Sequence, residues 1–153
     1  MFKQILVPVD GSDTSAIGLN TAIELAVDQK ATLHILHVVD ETVLTQSVVA
    51  GGYLSEDVLK AFVDGGQKVL DAAIDRAKAR GVTAHGILVE DITETVADVI
   101  VTEAHKASAD LIILGTHGRR GMRRLVMGSD AEGVVRLTTV PVMLVRQQDP
   151  NKS

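Results

Sequence analysis

Residues 110–129 read Asp110-Leu111-Ile112-Ile113-Leu114-Gly115-Thr116-His117-Gly118-Arg119-Arg120-Gly121-Met122-Arg123-Arg124-Leu125-Val126-Met127-Gly128-Ser129. Leu111 to Leu114 is an uninterrupted apolar run, short and bounded by Asp110 and Gly115, which reads as a strand covered on both faces. Gly128-Ser129 opens a helical segment that runs to Leu137. The connection between the two exceeds the ~2–6 residues usual between a strand and a helix, a length found mostly where loops carry function.

The same alternation extends on both sides. Ile5-Leu6-Val7-Pro8-Val9, closed by Asp10-Gly11-Ser12, reads as a first buried strand. Ala16, Leu19, Ile23, Ala26 and Val27 then recur at helical spacing, and Leu33 to Val39 reads as a second strand. Residues 40–54 show no clear period and read as a loop. Leu59, Phe62, Val63, Leu70, Ile74 and Ala77 mark one face of a long helix, interrupted at Gly65-Gly66 and ended at Gly81. Val82 to Val89 reads as a third strand, Val96, Ala97, Ile100 and Ala104 as a third helix, and Val140 to Val145 as a fifth strand. The order β-α-β-α-β-α-β-α-β predicts an α/β fold: a five-stranded parallel sheet with helices on both faces, Rossmann-like, in one domain over residues 1–146. Gln147 to Ser153 reads as a polar tail.

Composition narrows the function. The chain has 153 residues, 46% hydrophobic and 23% charged, enough for one packed core. Its formal net charge of −5 argues against a general nucleic-acid or anionic-membrane binder. Its only aromatic residues are Phe2, Tyr53 and Phe62, too few for a base-stacking platform. There is no cysteine, which excludes disulfides, thiolate metal sites and cysteine nucleophiles. The absence of a leader and of a long apolar run fits a cytoplasmic protein without a membrane span.

In an open parallel sheet, ligands bind beyond the carboxyl ends of the strands where the strand order reverses. The first strand usually borders that reversal, so Asp10-Gly11-Ser12 and the segment after Gly115 are the places to look. Gly115 and Gly118 let backbone N–H groups approach an anion, and the helix start at Gly128-Ser129 adds unpaired N–H groups and partial positive charge. Arg119, Arg120, Arg123 and Arg124 put four positive charges on a chain whose remainder sums to −9, a patch suited to a polyanion. His117 lies inside the loop and is a candidate phosphate contact, although a lone histidine more often has a structural or solvent role. Against this stands a plainer reading: Ser129 followed by Glu132 matches a helix capping box, which explains the serine without a ligand.

At this point the chain resembles the universal stress proteins, whose nucleotide-binding members carry Gly, two residues, Gly, nine residues, Gly, then Ser or Thr. Gly115, Gly118, Gly128 and Ser129 stand at that spacing. The opening Ile5 to Ser12, the segment Leu36-His37-Val38 and the ending Val140 to Val145 are also similar to that family, so the likeness spans roughly the first 145 residues. The resemblance implies a sheet like that of the adenine nucleotide alpha hydrolases, with an adenine nucleotide in its crevice: ATP, or AMP or ADP, with Mg²⁺ carried by the nucleotide. It implies that Pro8, Val9 and Val38 border the adenine and that Asp10 approaches the adenosine. Gly115, Gly118, Gly128 and Ser129 would line the phosphates, with Asp130 and Ala131 beside them. It also implies a homodimer paired through Val140 to Val145. Asp130 departs from the small or apolar residue common in the family and places a negative charge near the phosphates.

Other chemistry finds less support. There is no Walker P-loop and no Gly-x-Gly-x-x-Gly turn. Arg146 stands where a response regulator would carry a lysine. The five histidines form no metal motif: His34 and His37 point to opposite faces of a strand, and His85 and His105 read as isolated. Asp10 has no evident partner as a base. The expectation is an ATP-binding stress-response sensor or scaffold, with a nucleotide-independent dimeric module or a slow ATP hydrolase as the alternatives.

Overall fold

The computed structural model describes residues 1–39, 55–90, 93–116 and 127–146. Among them the chain runs β1 (Gln4–Pro8), α1 (Asp13–Gln29), β2 (Thr32–Val38), α2 (Glu56–Ala79), β3 (Ala84–Val89), α3 (Val96–Lys106), β4 (Leu111–Gly115), α4 (Ser129–Leu137) and β5 (Val142–Val145). The strands form one parallel sheet in the order β3-β2-β1-β4-β5. The order reverses between β1 and β4, as the sequence pattern predicts. Among the described residues, no helix is long and apolar enough to cross a membrane.

Alternation along each strand feeds two cores. Ile5, Val7, Leu33, Ile35, Leu111 and Ile113 pack under α1 and α2. Leu6, Leu36, Ile112 and Leu114 pack under α3 and α4. Ile5, Leu6, Ile112 and Ile113 have no exposed surface, so the central strands are continuous apolar runs because both faces are covered. Burying each such side chain favours the folded state by roughly 1.5–3 kcal/mol.

Two expectations for α2 need correction. The helix runs unbroken through Gly65 and Gly66. Its apolar face is buried only from Gly66 onward, at Gly66, Leu70, Ala73 and Ala77, whereas Val58, Leu59 and Phe62 in its first turns are exposed. The interruption is a packing device: a Cβ on Gly66 would lie 2.7 Å from the His37 ring. At the other end the expected stop holds. Gly81 has φ +75°, its N–H donates to the Lys78 carbonyl (2.9 Å), and the Val82 N–H donates to Ala77 (3.0 Å). That is a Schellman motif, with glycine taking the left-handed position.

The histidine reading also changes. In the β2–β3 register His34 stands opposite His85, and their rings lie 5.7 Å apart, so His85 is not isolated. His34 Nε2 lies 2.7 Å from Gln4 Oε1. Burial and then the neighbouring His85 hold the His34 pKa below its usual 6.5. This pair sits toward the amino ends of the strands, away from the reversal.

Candidate functional site

The crevice is built from the carboxyl ends of β1 and β4. Beyond Pro8 the chain is fixed by side chains and not by the sheet alone. The Val9 N–H donates to Leu36 O (2.8 Å), and His37 Nδ1 donates to Val9 O (2.8 Å). The Asp10 N–H donates to Ser15 Oγ (3.3 Å), and Asp10 Oδ1 accepts from the Ser12 N–H (2.8 Å). Ser12 then caps α1 by accepting from the Ser15 N–H (3.1 Å), while Ser15 Oγ donates to Ser12 O (3.0 Å). Gly11, at φ +79°, allows the turn. Val9 therefore borders the crevice with both backbone groups already engaged, and Val38 ends β2 alongside it, half-buried.

On the other side Gly115 ends β4. A Cβ there would meet the Thr14 side chain at 2.9 Å and the Thr14 carbonyl oxygen at 3.0 Å, so Gly115 lets the first turn of α1 approach β4. The buried Thr116 donates its N–H to Val145 O (2.9 Å) and accepts at its carbonyl from the Gly128 N–H (2.8 Å). The chain thus leaves the sheet at Thr116 and is bonded back to that point at Gly128. His117, Gly118 and Arg119, with the other arginines of the loop, lie outside the described residues.

Gly128 is the N-cap of α4, and among the described residues no side chain caps this helix. The capping-box reading of Ser129 is corrected by this: Ser129 is the first helical residue, one position too late for its hydroxyl to cap. The Glu132 N–H takes the Gly128 carbonyl at 3.0 Å, the first bond of the helix. Ser129 and Asp130 are exposed in the first turn. Ala131 is buried in the core under α4, so its side chain faces away from the crevice and only its backbone N–H belongs to the helix start. Gly133 sets the position of α4, because a Cβ there would lie 2.7 Å from Ala97 Cβ of α3.

Of the expected site residues, the fold brings Pro8, Val9, Asp10 and Val38 to the carboxyl ends of β1 and β2, with Val9 and Val38 packed on opposite faces of the sheet, and Gly115, Gly128 and Ser129 to the end of β4 and the start of α4. Sequence reasoning missed His37, Ser12, Ser15 and Thr116 as the residues that hold these segments. A histidine near the end of an apolar strand, in Leu36-His37-Val38, was the available signal for the first of them. Between α1 and α2 the described residues leave a cavity of about 240 Å³ beside Val9, Ser12, Ser15, Leu19, Val69 and Arg76. It is smaller than the ~300 Å³ at which small-molecule pockets usually begin, and it takes no residue from β4 or α4.

Comparison with known proteins places this geometry. The model of the Universal stress protein family matches residues 1–146. Universal stress protein YxiE of Bacillus subtilis is 34% identical over 151 residues, which is 95% of this chain and all of that one. A crystal structure of a universal stress protein family member from Burkholderia pseudomallei is 34% identical, with TM-score 0.74, and the match covers 94% of this chain and 95% of that one. Two more distant structures share the fold. One is a universal stress protein in complex with cAMP, 24% identical, TM-score 0.67, covering 95% of this chain and 97% of that one. The other, from Archaeoglobus fulgidus in complex with dAMP, is 23% identical, TM-score 0.65, covering 93% of this chain and 96% of that one.

Proposed function

The chain belongs to the universal stress protein family, and from that membership we propose that it binds an adenine nucleotide and acts in the stress response as a sensor or scaffold. The ligand is ATP, or its AMP or ADP relative, with Mg²⁺ carried on the phosphates. One observation carries the reading. The start of α4, with no side-chain cap among the described residues, is tied back to the end of β4 at the reversal of strand order. Two relatives of the same fold hold cAMP and dAMP, ligands of the same chemical class.

In this reading Pro8, Val9 and Val38 border the adenine and Asp10 faces the adenosine. The N–H groups of Ser129, Asp130 and Ala131 point at the phosphates, joined by the Ser129 hydroxyl and by Gly115, His117, Gly118, Gly128 and Arg119. The negative charge of Asp130 is offset by Mg²⁺ and the four arginines. The protein works in the cytoplasm as a homodimer paired through the segment Val140 to Val145. In support of that pairing, β5 is an edge of the sheet and its Leu144 is 40% exposed. Leu144→Asp should convert a dimer to a monomer in sedimentation velocity.

Isothermal titration of nucleotide-stripped protein with Mg-ATP tests the reading. Saturable heat is expected; no heat at high protein concentration overturns it. Mass spectrometry of the small molecule that copurifies identifies the nucleotide.

A further inference from the structure

Resting on the nucleotide reading above, we propose that His37 is a positioning residue that aims Asp10 into the crevice, with Gly66 of α2 as the contact that holds the ring in place. His37 is 7% exposed and lies on the sheet face that packs against α1 and α2. Its Nδ1 sits 2.8 Å from Val9 O. A carbonyl only accepts, so Nδ1 carries the proton. With Nδ1 on the Val9 carbonyl, the Nε2 edge of the ring faces Gly66. A Cβ on Gly66 would lie 2.7 Å from His37 Cδ2 and 2.8 Å from Nε2, closer than real contacts allow. The ring is therefore confined between the end of β1 and helix α2.

What the ring holds is one peptide unit. The Val9 C=O and the Asp10 N–H belong to the same planar group. His37 donates to its oxygen, and its nitrogen donates to Ser15 Oγ at 3.3 Å. Clamped at both ends, that plane has one orientation, and the Asp10 side chain leaves from it. Asp10 Oδ1 is then fixed by the Ser12 N–H at 2.8 Å. Val9 lies past the last residue of β1, so a side chain supplies the donor that its buried carbonyl requires. Loss of that donor frees the peptide to rotate and moves the carboxylate that faces the adenosine.

The test compares two replacements of similar size. His37→Asn keeps a donor near the Nδ1 position; His37→Leu removes it. By isothermal titration with Mg-ATP, His37→Leu should weaken binding about tenfold and His37→Asn less than about threefold. In an Asp10→Ala background, His37→Leu should add less than about a twofold loss, because its effect runs through Asp10. Gly66→Ala approaches the same ring from α2 and should weaken binding in the same direction, so the inference stays testable if His37→Leu does not fold. Amide hydrogen exchange on the nucleotide-free protein supplies a readout independent of ligand. Asp10 and Ser12 should exchange faster in His37→Leu while the β1 amides do not. Absence of Mg-ATP heat in the unmodified protein would overturn the nucleotide reading, and the exchange result would still decide the clamp. Unchanged exchange at Asp10 and Ser12, or a His37→Leu loss that multiplies in full with Asp10→Ala, would overturn the inference itself.

Discussion

Helices α1 and α4 both begin at the reversal of strand order, one after β1 and the other after β4, but their first turns are built differently. α1 is closed by its own side chains: Ser12 caps it, Ser15 bonds back to Ser12, and Asp10 holds the Ser12 amide. α2 and α3 are also capped from within, by Ser55 and by the Thr95–Asp98 capping box. α4 has a glycine at the capping position and, among the described residues, no side-chain cap. The first turn of a helix leaves N–H groups without intrahelical partners, and at the other described helices a Ser or Thr side chain takes one of them. The α1 turn is closed on itself by side chains, whereas the α4 turn starts on a glycine and is the place proposed above for the phosphates.

The largest expected effect falls where the first turn of α1 meets the end of β4. Gly115→Val would drive a side chain into the Thr14 backbone, where even a Cβ lies within 3.0 Å of the carbonyl oxygen. It should destabilise the fold by about 2–3 kcal/mol in urea denaturation, since backbone cannot yield as a flexible side chain does. Gly128→Asp separates the two roles of α4. It supplies the missing cap, so stability should hold or rise by a few tenths of a kcal/mol. Its carboxylate would occupy the place proposed for a phosphate, so Mg-ATP affinity should fall about tenfold or more. Ser12→Ala is the counterpart at α1: removing its cap should cost about 1 kcal/mol of stability with a smaller change in affinity. A single variant pair thus shows binding lost without stability at one turn and stability lost with little binding at the other.

The regular elements were legible because their signals are local. Apolar runs bounded by Asp, Gly or Pro gave the strands, and the helix from Ser129 to Leu137 was read at its actual limits. What escaped depends on the meeting of distant segments. The capping-box match of Ser129 and Glu132 is correct in spacing and wrong by one position, because the Gly128 amide is drawn to Thr116 and the helix starts from there. Gly66 looked like a helix interruption, since nothing near it in sequence shows that a histidine ring from β2 fills the space its side chain would need. The strand ends at the reversal were legible in the sequence, while the residues that brace them depend on contacts across 28 positions, as between His37 and Val9. Likewise His34 and His85 become neighbours only through the β2–β3 register.

That histidine pair gives the smallest expected effect and a control at the far end of the sheet. Burial and His85 lower the His34 pKa below 6.5, so the unfolded chain takes up a proton first as pH falls. Stability should therefore be fully present above about pH 6.5 and decline from there until the lowered folded pKa is passed. His34→Gln should flatten that slope in urea midpoints measured between pH 7.5 and 5, with Mg-ATP affinity at neutral pH unchanged. A matching loss of affinity would tie the two ends of the sheet together, against the separation drawn between them.

The contrast between the two helix starts is tested most directly by backbone ¹⁵N–¹H spectra of the nucleotide-stripped protein titrated with Mg-ATP. The amides of Ser129, Asp130 and Ala131 should shift progressively with nucleotide, while the Ser15 amide, already bonded to Ser12, stays near its starting position. Shifts confined to the α1 turn, with the α4 amides unmoved at saturation, would contradict the assignment of the phosphates to α4.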